Sequence, residues 1–288
     1  MKLLRFEING LEQLGVLKGD RVFLLNDFAL NKNYDSFTDF IANHSHEDLK
    51  ELSCEIVDDS YSINRVNLLS PFKKTTHDIL CVGLNYAEHI EEAEKMKLDS
   101  RAENAIYFSK RAEIISGSNQ AIYLDEELDN KMDYETELAI IIGKKGKNIS
   151  VEEAIDYIFG FTIVNDFSAR ELQKKHGQWF KGKSLDGYTS IGPMIVTKDE
   201  FTFPLNLDIK TTVNDEIRQS SNTQYMIRDV ANLIHELSLG LTLVPGDIIA
   251  TGTPSGVGAG LNPAKFLKKG DKVISEISGI GKLINIIK

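Results

Sequence analysis

Strand-forming runs recur along this chain without alternating with helices. From residue 78 onward, strand-like stretches fall at 79–82, 106–109, 121–124, 134–142, 159–165, 191–196, 205–213, 247–251 and 272–286. Helical periodicity is confined to 86–96, 151–158, 167–176 and 226–239. A doubly wound sheet or a (β/α)8 barrel needs a helix after nearly every strand, so both are excluded. The pattern predicts an α+β, mainly β body. The runs at 139–142 and 158–164 are apolar without alternation, so those strands should be covered on both faces.

The first 30 residues read as strands at 3–8, 11–17 and 21–25. Asn9-Gly10 and Lys18-Gly19-Asp20 supply the turns between them. Residues 36–56 read as one helix, with apolar positions Phe37, Phe40, Ile41, Leu49, Leu52 and Ile56. The stretch 60–76 has no clean period and contains Pro71, which predicts a linker. At about 100–200 residues per domain the length suggests one large domain or one small plus one large, and the expected organisation is a small β-rich N-terminal module at 1–70 and a larger body at 71–288.

Composition narrows the partners. The formal net charge is −10, from 33 Lys and Arg against 43 Asp and Glu. An acidic surface disfavours nucleic acid and anionic membranes, because phosphate contacts need clustered cations. No run approaches the roughly 20 apolar residues of a membrane span. The opening MKLLRFEING is broken by charge too soon for a signal peptide. Cys54 and Cys81 lack C-x-x-C spacing and predict reduced thiols. A cytoplasmic protein is expected.

Four segments could carry chemistry, beside a phosphate-loop match that could not. In Asp133-Tyr134-Glu135-Thr136-Glu137, strand period places Glu135 and Glu137 on one side. An isolated pair of this kind reads first as a strand end that has reached solvent; beside a buried strand, paired carboxylates take up protons or bind a cation. Asp166 ends a second apolar run and is either an N-cap for the following helix or a third ligand. Three carboxylates form an oxygen-only set suited to Mg²⁺, Mn²⁺ or Ca²⁺ rather than zinc. His89 and Glu92 lie three apart on a helix, where a carboxylate can orient an imidazole as general base. Residues 177–184 fit the phosphate-loop pattern G-x-x-x-x-G-K-[ST], but a polar helix precedes them and glycines and a proline follow. A nucleotide loop is therefore disfavoured, and Lys183 is left as a cation among acids. The fourth segment, 246–258, runs from a strand into a turn rich in Gly and Thr, able to approach and hydrogen-bond a carboxylate.

Taken in order, VGLNYAEHIEEA (82–93), DYETELAIIIG (133–143), VNDFSARELQ (164–173), WFKGKSLDGYTSIGP (179–193) and PGDIIATGTPSGVG (245–258) resemble the fumarylacetoacetate hydrolase family. Within it, the chain is similar to acylpyruvate hydrolases, 2-hydroxyhepta-2,4-diene-1,7-dioate isomerases and diketo-deoxysugar-acid hydrolases. The resemblance covers about residues 78–288. It implies a mixed β-sandwich or β-roll, a homodimer, and a divalent metal, Mg²⁺ or Mn²⁺ with Ca²⁺ as a crystal substitute, held by Glu135, Glu137 and Asp166, with no organic cofactor. It implies catalytic roles for His89, Glu92 and Lys183, and substrate contacts from Arg170, Gln173 and Thr253. The expected substrate is a small anionic 2-oxo or 2,4-diketo acid. The leading expectation is hydrolysis of a C–C bond in an acylpyruvate through a stabilised enolate. The alternative is oxaloacetate decarboxylation or hydration or isomerisation of an oxo-dienoate at the same site. Tyr188, where many relatives differ, is expected to shape the distal pocket.

Overall fold

In the computed structural model, the described residues are 1–30, 32–55, 57, 59–95 and 104–288. Ile56 and Met96, the expected ends of two helices, lie outside them. The fold is mainly β, as the lack of alternation predicts.

One large mixed sheet runs in the order Tyr61–Ser62, Arg21–Leu24, Leu11–Lys18, Lys2–Ile8, Thr189–Thr197, Ile158–Asp166, Thr136–Ile142, Ile248–Ala250, Ile79–Gly83, Ile106–Lys110. A second sheet contains Glu216–Asn222, Asp208–Val213, Lys272–Ile277, Gly281–Ile287 and Gln120–Ile122. The three central strands of the large sheet are buried along their whole length. Their alternate residues enter two separate cores. Leu138, Ile140, Phe161 and Ile163 pack toward the second sheet (Ile209, Ile277, Leu283) and the helix Val230–Ser238. Ala139, Ile141, Phe159 and Val164 pack toward Phe37, Phe40, Ile41 and Leu49 near the N-terminus. Two covered faces explain the unbroken apolar runs. Each fully buried Ile or Phe contributes about 1.5–3 kcal/mol relative to exposure.

The first strand joins the body directly, pairing Lys2 with Val196 and Leu3 with Ile195. Asn9 and Gly10 both take positive φ in the expected tight hairpin. The stretch 60–76, read as a linker, contains the short strands Tyr61–Ser62 and Asn67–Leu69, and the latter pairs Arg5 with Leu69. The single helix expected at 36–56 is two, Phe37–Asn43 and His46–Cys54. Ser45 breaks it: its hydroxyl caps the Asp48 amide, and the Asp48 carboxylate returns to the Ser45 amide. This reciprocal cap begins a new helix more favourably than the old one could continue.

Three further expectations need correction. The run 272–286 is a hairpin of Lys272–Ile277 and Gly281–Ile287. Asp208–Val213 is followed by an unanticipated strand, Glu216–Asn222, through Asn214 and Asp215, both at positive φ. The segment 151–158 forms only one 3-10 turn, Ala154–Tyr157. Among the described residues, no helix is long and apolar enough to cross a membrane.

Candidate active site

The antiparallel pairing of Thr136–Ile142 with Ile158–Asp166 sets Thr136 opposite Asn165. That register brings Glu135, Glu137 and Asp166 to the same end of the central sheet. One oxygen from each carboxylate lies within 4.8 Å of the others, and all three side chains are buried. Asp166 does not cap the following helix. Arg170–Lys175 starts four residues later, and its N-cap position, Ala169, makes no side-chain hydrogen bond.

Buried cations surround these acids. Lys183 Nζ donates to Glu135 Oε2 at 2.6 Å and Asp166 Oδ2 at 2.7 Å. It also lies 5.4 Å from the centre of the Phe108 ring. Lys110, fully buried at the end of Ile106–Lys110, lies 2.7 Å from Asp166 Oδ1 and donates to the carbonyls of Lys183 and Phe167. Arg170 Nη1 sits 2.7 Å from Glu135 Oε1 and donates to Gln173 Oε1 at 3.0 Å. Its Nε donates to Asp133 Oδ2 at 2.9 Å.

Lys110 and Asp133 were missed in the sequence. Asp133 was detectable, because it shares the strand parity of Glu135 and Glu137. It accepts from the amides of Gly258 and Ala259 at 2.7 and 2.9 Å, which ties Arg170 to the Gly-rich turn. Lys110 has no local signal: it is one more lysine beside Arg111, and only the tertiary fold turns it inward.

The charges do not cancel. Four buried carboxylates, Asp133, Glu135, Glu137 and Asp166, face three cations, Lys110, Lys183 and Arg170. Burial alone would raise Glu135, but Lys183 and Arg170 against it hold it down at about 2. Glu137 goes the other way. Burial pushes it well above the usual carboxylate range, and the like charges of Asp166 and Glu135 push it further. It is held by the backbone amide of Gly252 at 2.7 Å. Burial would lower Lys183, yet Asp166 and Glu135 raise it, so it stays an ammonium.

The fit to a hard dication follows from these groups. The donors are all carboxylate oxygens, they converge, and among the described residues the cluster has one carboxyl group more than it has cations. Such a set suits Mg²⁺ or Mn²⁺.

The helix Ala87–Lys95 supplies the opposite wall. His89 Nδ1 lies 2.8 Å from Glu92 Oε2, and both side chains are buried. Glu92 Oε1 accepts from the Gly256 amide at 3.0 Å, and Ser255 Oγ donates to Glu88 at 3.1 Å. The helix thereby docks on the Gly-rich turn. A Cβ at Gly260 would collide with the Glu92 carboxylate, so a larger residue there must push that side chain aside.

His89, Glu135, Glu137, Arg170, Gln173, Lys183 and Thr253 line one cavity. Val82, Leu84, Phe108 and Trp179 add apolar lining. The space is small, with about 20 Å³ open to the centre of a water-sized sphere, comparable to what a single water needs. The Thr253 hydroxyl faces protein partners: it donates to the Thr136 carbonyl at 2.9 Å and accepts from Gln219 Nε2 at 2.8 Å.

One sequence expectation fails here. Tyr188 does not line this cavity and packs in a core with Met132, Phe167 and Val273. The phosphate-loop match at 177–184 is not a cradle, since a helix precedes it and the Lys183 ammonium is engaged by carboxylates.

The family model for the fumarylacetoacetate (FAA) hydrolase C-terminal domain matches residues 78–288. The chain belongs to the fumarylacetoacetate hydrolase family. It is 44% identical over 228 residues to oxaloacetate tautomerase YisK of Bacillus subtilis (strain 168), covering 79% of this chain and 75% of that protein. Its fold matches the fumarylacetoacetate hydrolase EaFAH of Exiguobacterium antarcticum with a TM-score of 0.85 at 38% identity, over 100% of this chain and 99% of that one. It also matches a 2-hydroxyhepta-2,4-diene-1,7-dioate isomerase from Mycobacterium marinum, with a TM-score of 0.75 at 30% identity over 100% and 98%. Family members carry tautomerase, isomerase and hydrolase activities, so this chain is an enzyme of that group.

Proposed function

We propose that the protein is a divalent-metal-dependent enzyme acting on a compact 2-oxo acid, and that its reaction is proton transfer at C3, as in keto–enol tautomerisation of oxaloacetate. One observation carries this reading: Glu135 and Glu137 of a three-carboxylate cluster, the buried Lys183 ammonium and the Glu92-paired imidazole of His89 line one small cavity. The relationship to an oxaloacetate tautomerase points the same way.

Glu135, Glu137 and Asp166 would hold Mg²⁺ or Mn²⁺, which supplies Lewis-acid polarisation of the oxo-acid head. The remaining work belongs to the chain. Lys183 places a fixed ammonium where negative charge grows on the 2-oxo oxygen. Arg170 and Gln173, joined by a hydrogen bond, present donors to the substrate carboxylate. With Nδ1 committed to Glu92, His89 has Nε2 for the cavity. In the ketonising direction the enol gives its O–H proton to solvent, and the His89 imidazolium delivers one to C3. His89 then regains a proton from solvent.

The second reading is C–C bond hydrolysis of an acylpyruvate. The complete His89–Glu92 pair favours it, since the same base could activate water for attack at C4. The apolar lining of Val82, Leu84, Phe108 and Trp179 would then face the acyl group.

The test is a side-by-side panel with Mn²⁺ present: the ultraviolet absorbance of enol-oxaloacetate and of small acylpyruvates, before and after chelation. Faster chelator-sensitive loss of the oxaloacetate enol, without release of carbon dioxide, supports the first reading. Chelator-sensitive cleavage of acylpyruvates without it supports the second. No metal-dependent turnover of either rejects both. A homodimer belongs to the same proposal and is checked by light scattering in solution.

A further inference from the structure

A closed ring of hydrogen bonds links the second sheet to the carboxylate cluster. Gln219 lies on Glu216–Asn222, remote in sequence from every acid in the site, and is fully buried. Its Oε1 accepts from the Thr136 amide at 3.3 Å and the Thr211 hydroxyl at 2.6 Å. Its Nε2 donates to Thr253 Oγ1 at 2.8 Å and the Pro254 carbonyl at 2.7 Å. Both donors and two acceptor positions of the amide are thus used. Thr253 closes the ring by donating to the Thr136 carbonyl at 2.9 Å.

Thr136 is the residue between Glu135 and Glu137. The turn beginning at Gly252 carries the amide that holds Glu137. One side-chain amide therefore clamps the backbone bearing two carboxylates to the backbone that orients one of them. The hydroxyls of Thr211, Thr136 and Ser275 continue the network at 2.5 and 2.6 Å, and Asn165, next to Asp166, donates to Ser275 at 3.1 Å. All of these side chains are fully buried, so any lost partner leaves an unsatisfied group that water does not repair.

We infer that Gln219 is a positioning residue for the metal site: it sets the spacing of Glu135 and Glu137 through Thr136, and the orientation of Glu137 through the Gly252–Pro254 turn. The inference rests on the metal-dependent reading above and adds the part of the second sheet that tunes it. An outer partner of this kind changes metal affinity by roughly 10–100-fold. The ring also fixes the Thr253 hydroxyl proton on Thr136, so the Thr253 side chain meets a ligand as an acceptor or an apolar surface.

The test uses the full chain with Mn²⁺ as probe. Gln219→Met keeps the side-chain length and removes the four bonds. Val213→Ala, on the adjacent strand, is the control for simple loss of packing. Mn²⁺ affinity is read by electron paramagnetic resonance at a temperature where both variants are folded. The expected result is about tenfold weaker binding in Gln219→Met and unchanged binding in Val213→Ala. Should Gln219→Met fail to fold, Thr211→Val removes one bond to the same amide and should weaken binding by about threefold, a part of that effect.

Hydrogen exchange on the metal-free protein gives a second readout that survives failure of the metal reading. Segments 134–137 and 250–255 should lose protection in the Gln219 variant and keep it in the control. Wild-type protein that binds no Mn²⁺ would reject the metal reading and leave exchange to decide the clamp. Unchanged affinity and unchanged exchange, or equal changes in the Val213 control, would overturn the inference.

Discussion

Glu137→Gln separates a ligand from a structural acid, because the two roles predict opposite signs. In the metal-free protein Glu137 is the carboxyl group of the cluster that no ammonium contacts among the described residues; its partner is the Gly252 amide. With carboxylate oxygens within 4.8 Å, two ionised neighbours repel by about 3 kcal/mol per pair at an effective dielectric near 20. Protonation of Glu137, driven by burial and by that repulsion, relieves most of this cost. The amide variant keeps the shape and the bond from Gly252 and removes the remainder. The metal-free variant should therefore melt at the wild-type temperature or up to about 4 °C above it.

With metal the order reverses. A dication at about 100 times its dissociation constant adds about 2.7 kcal/mol to the wild type. The variant, missing one of three anionic ligands, should gain far less. The assay is thermal unfolding with and without Mn²⁺, paired with a calorimetric Mn²⁺ titration. A variant that melts several degrees lower without metal, yet binds Mn²⁺ as tightly as wild type, would refute the reasoning and make Glu137 a structural acid.

Other outcomes follow from the same contacts. Lys110→Met strips Asp166 of a buried partner and should cost about 3–5 kcal/mol, read by denaturant unfolding; a loss below about 1 kcal/mol would mean the pair is not formed. Lys183→Ala should retain Mn²⁺ in the titration while turnover falls by at least about a hundredfold; retained rate would remove Lys183 from the chemistry. Gly260→Ala should displace the Glu92 carboxylate from His89 and lower kcat by about tenfold or more with little change in melting temperature; wild-type kcat would show that the docking of this helix does not set the pair.

Acid stability gives a further check. Glu135 is depressed from 4.5 to about 2 in the folded protein. Its contribution is complete above the unfolded value and is lost as pH falls from about 4.5 toward 2. Glu135→Gln should flatten the stability of the metal-free protein across that window, and an unchanged acid profile would contradict the ion pairs drawn here.

How much of this was legible in the sequence depends on whether the signal was local. Parity in a strand is local, so Glu135 and Glu137 could be placed together from their spacing, and Asp133 could have been added. The one-turn spacing of His89 and Glu92 is equally local, and the structure sets them 2.8 Å apart. The break at Ser45 was also available, as a Ser-x-x-Asp cap inside an apolar pattern that otherwise spans it. The hairpin between Ile277 and Gly281 was hidden by strand residues continuing on both sides of a short turn, although Gly279 marks it at positive φ.

Lys110, Gln219 and the true place of Tyr188 were not legible. Each depends on which strands become neighbours: Lys110 meets Asp166 across 56 residues of chain, and Gln219 meets Thr136 across 83. No periodicity encodes such meetings. The composition of Asp166-Phe167-Ser168-Ala169-Arg170 suggested a capped helix, but Ser168–Ala169 pairs as a strand with Met132–Asp133 and delays the helix. Tertiary pairing there outweighs local capping preference.

The most direct test is the position of a bound Mn²⁺ located by its anomalous scattering in crystals of this protein. The account predicts one strong peak about 2.1 Å from carboxylate oxygens of Glu135, Glu137 and Asp166, with His89 across the cavity. A protein saturated with Mn²⁺ whose peak lies elsewhere, or whose three carboxylates stay bound only to Lys183, Lys110 and Arg170, would contradict it.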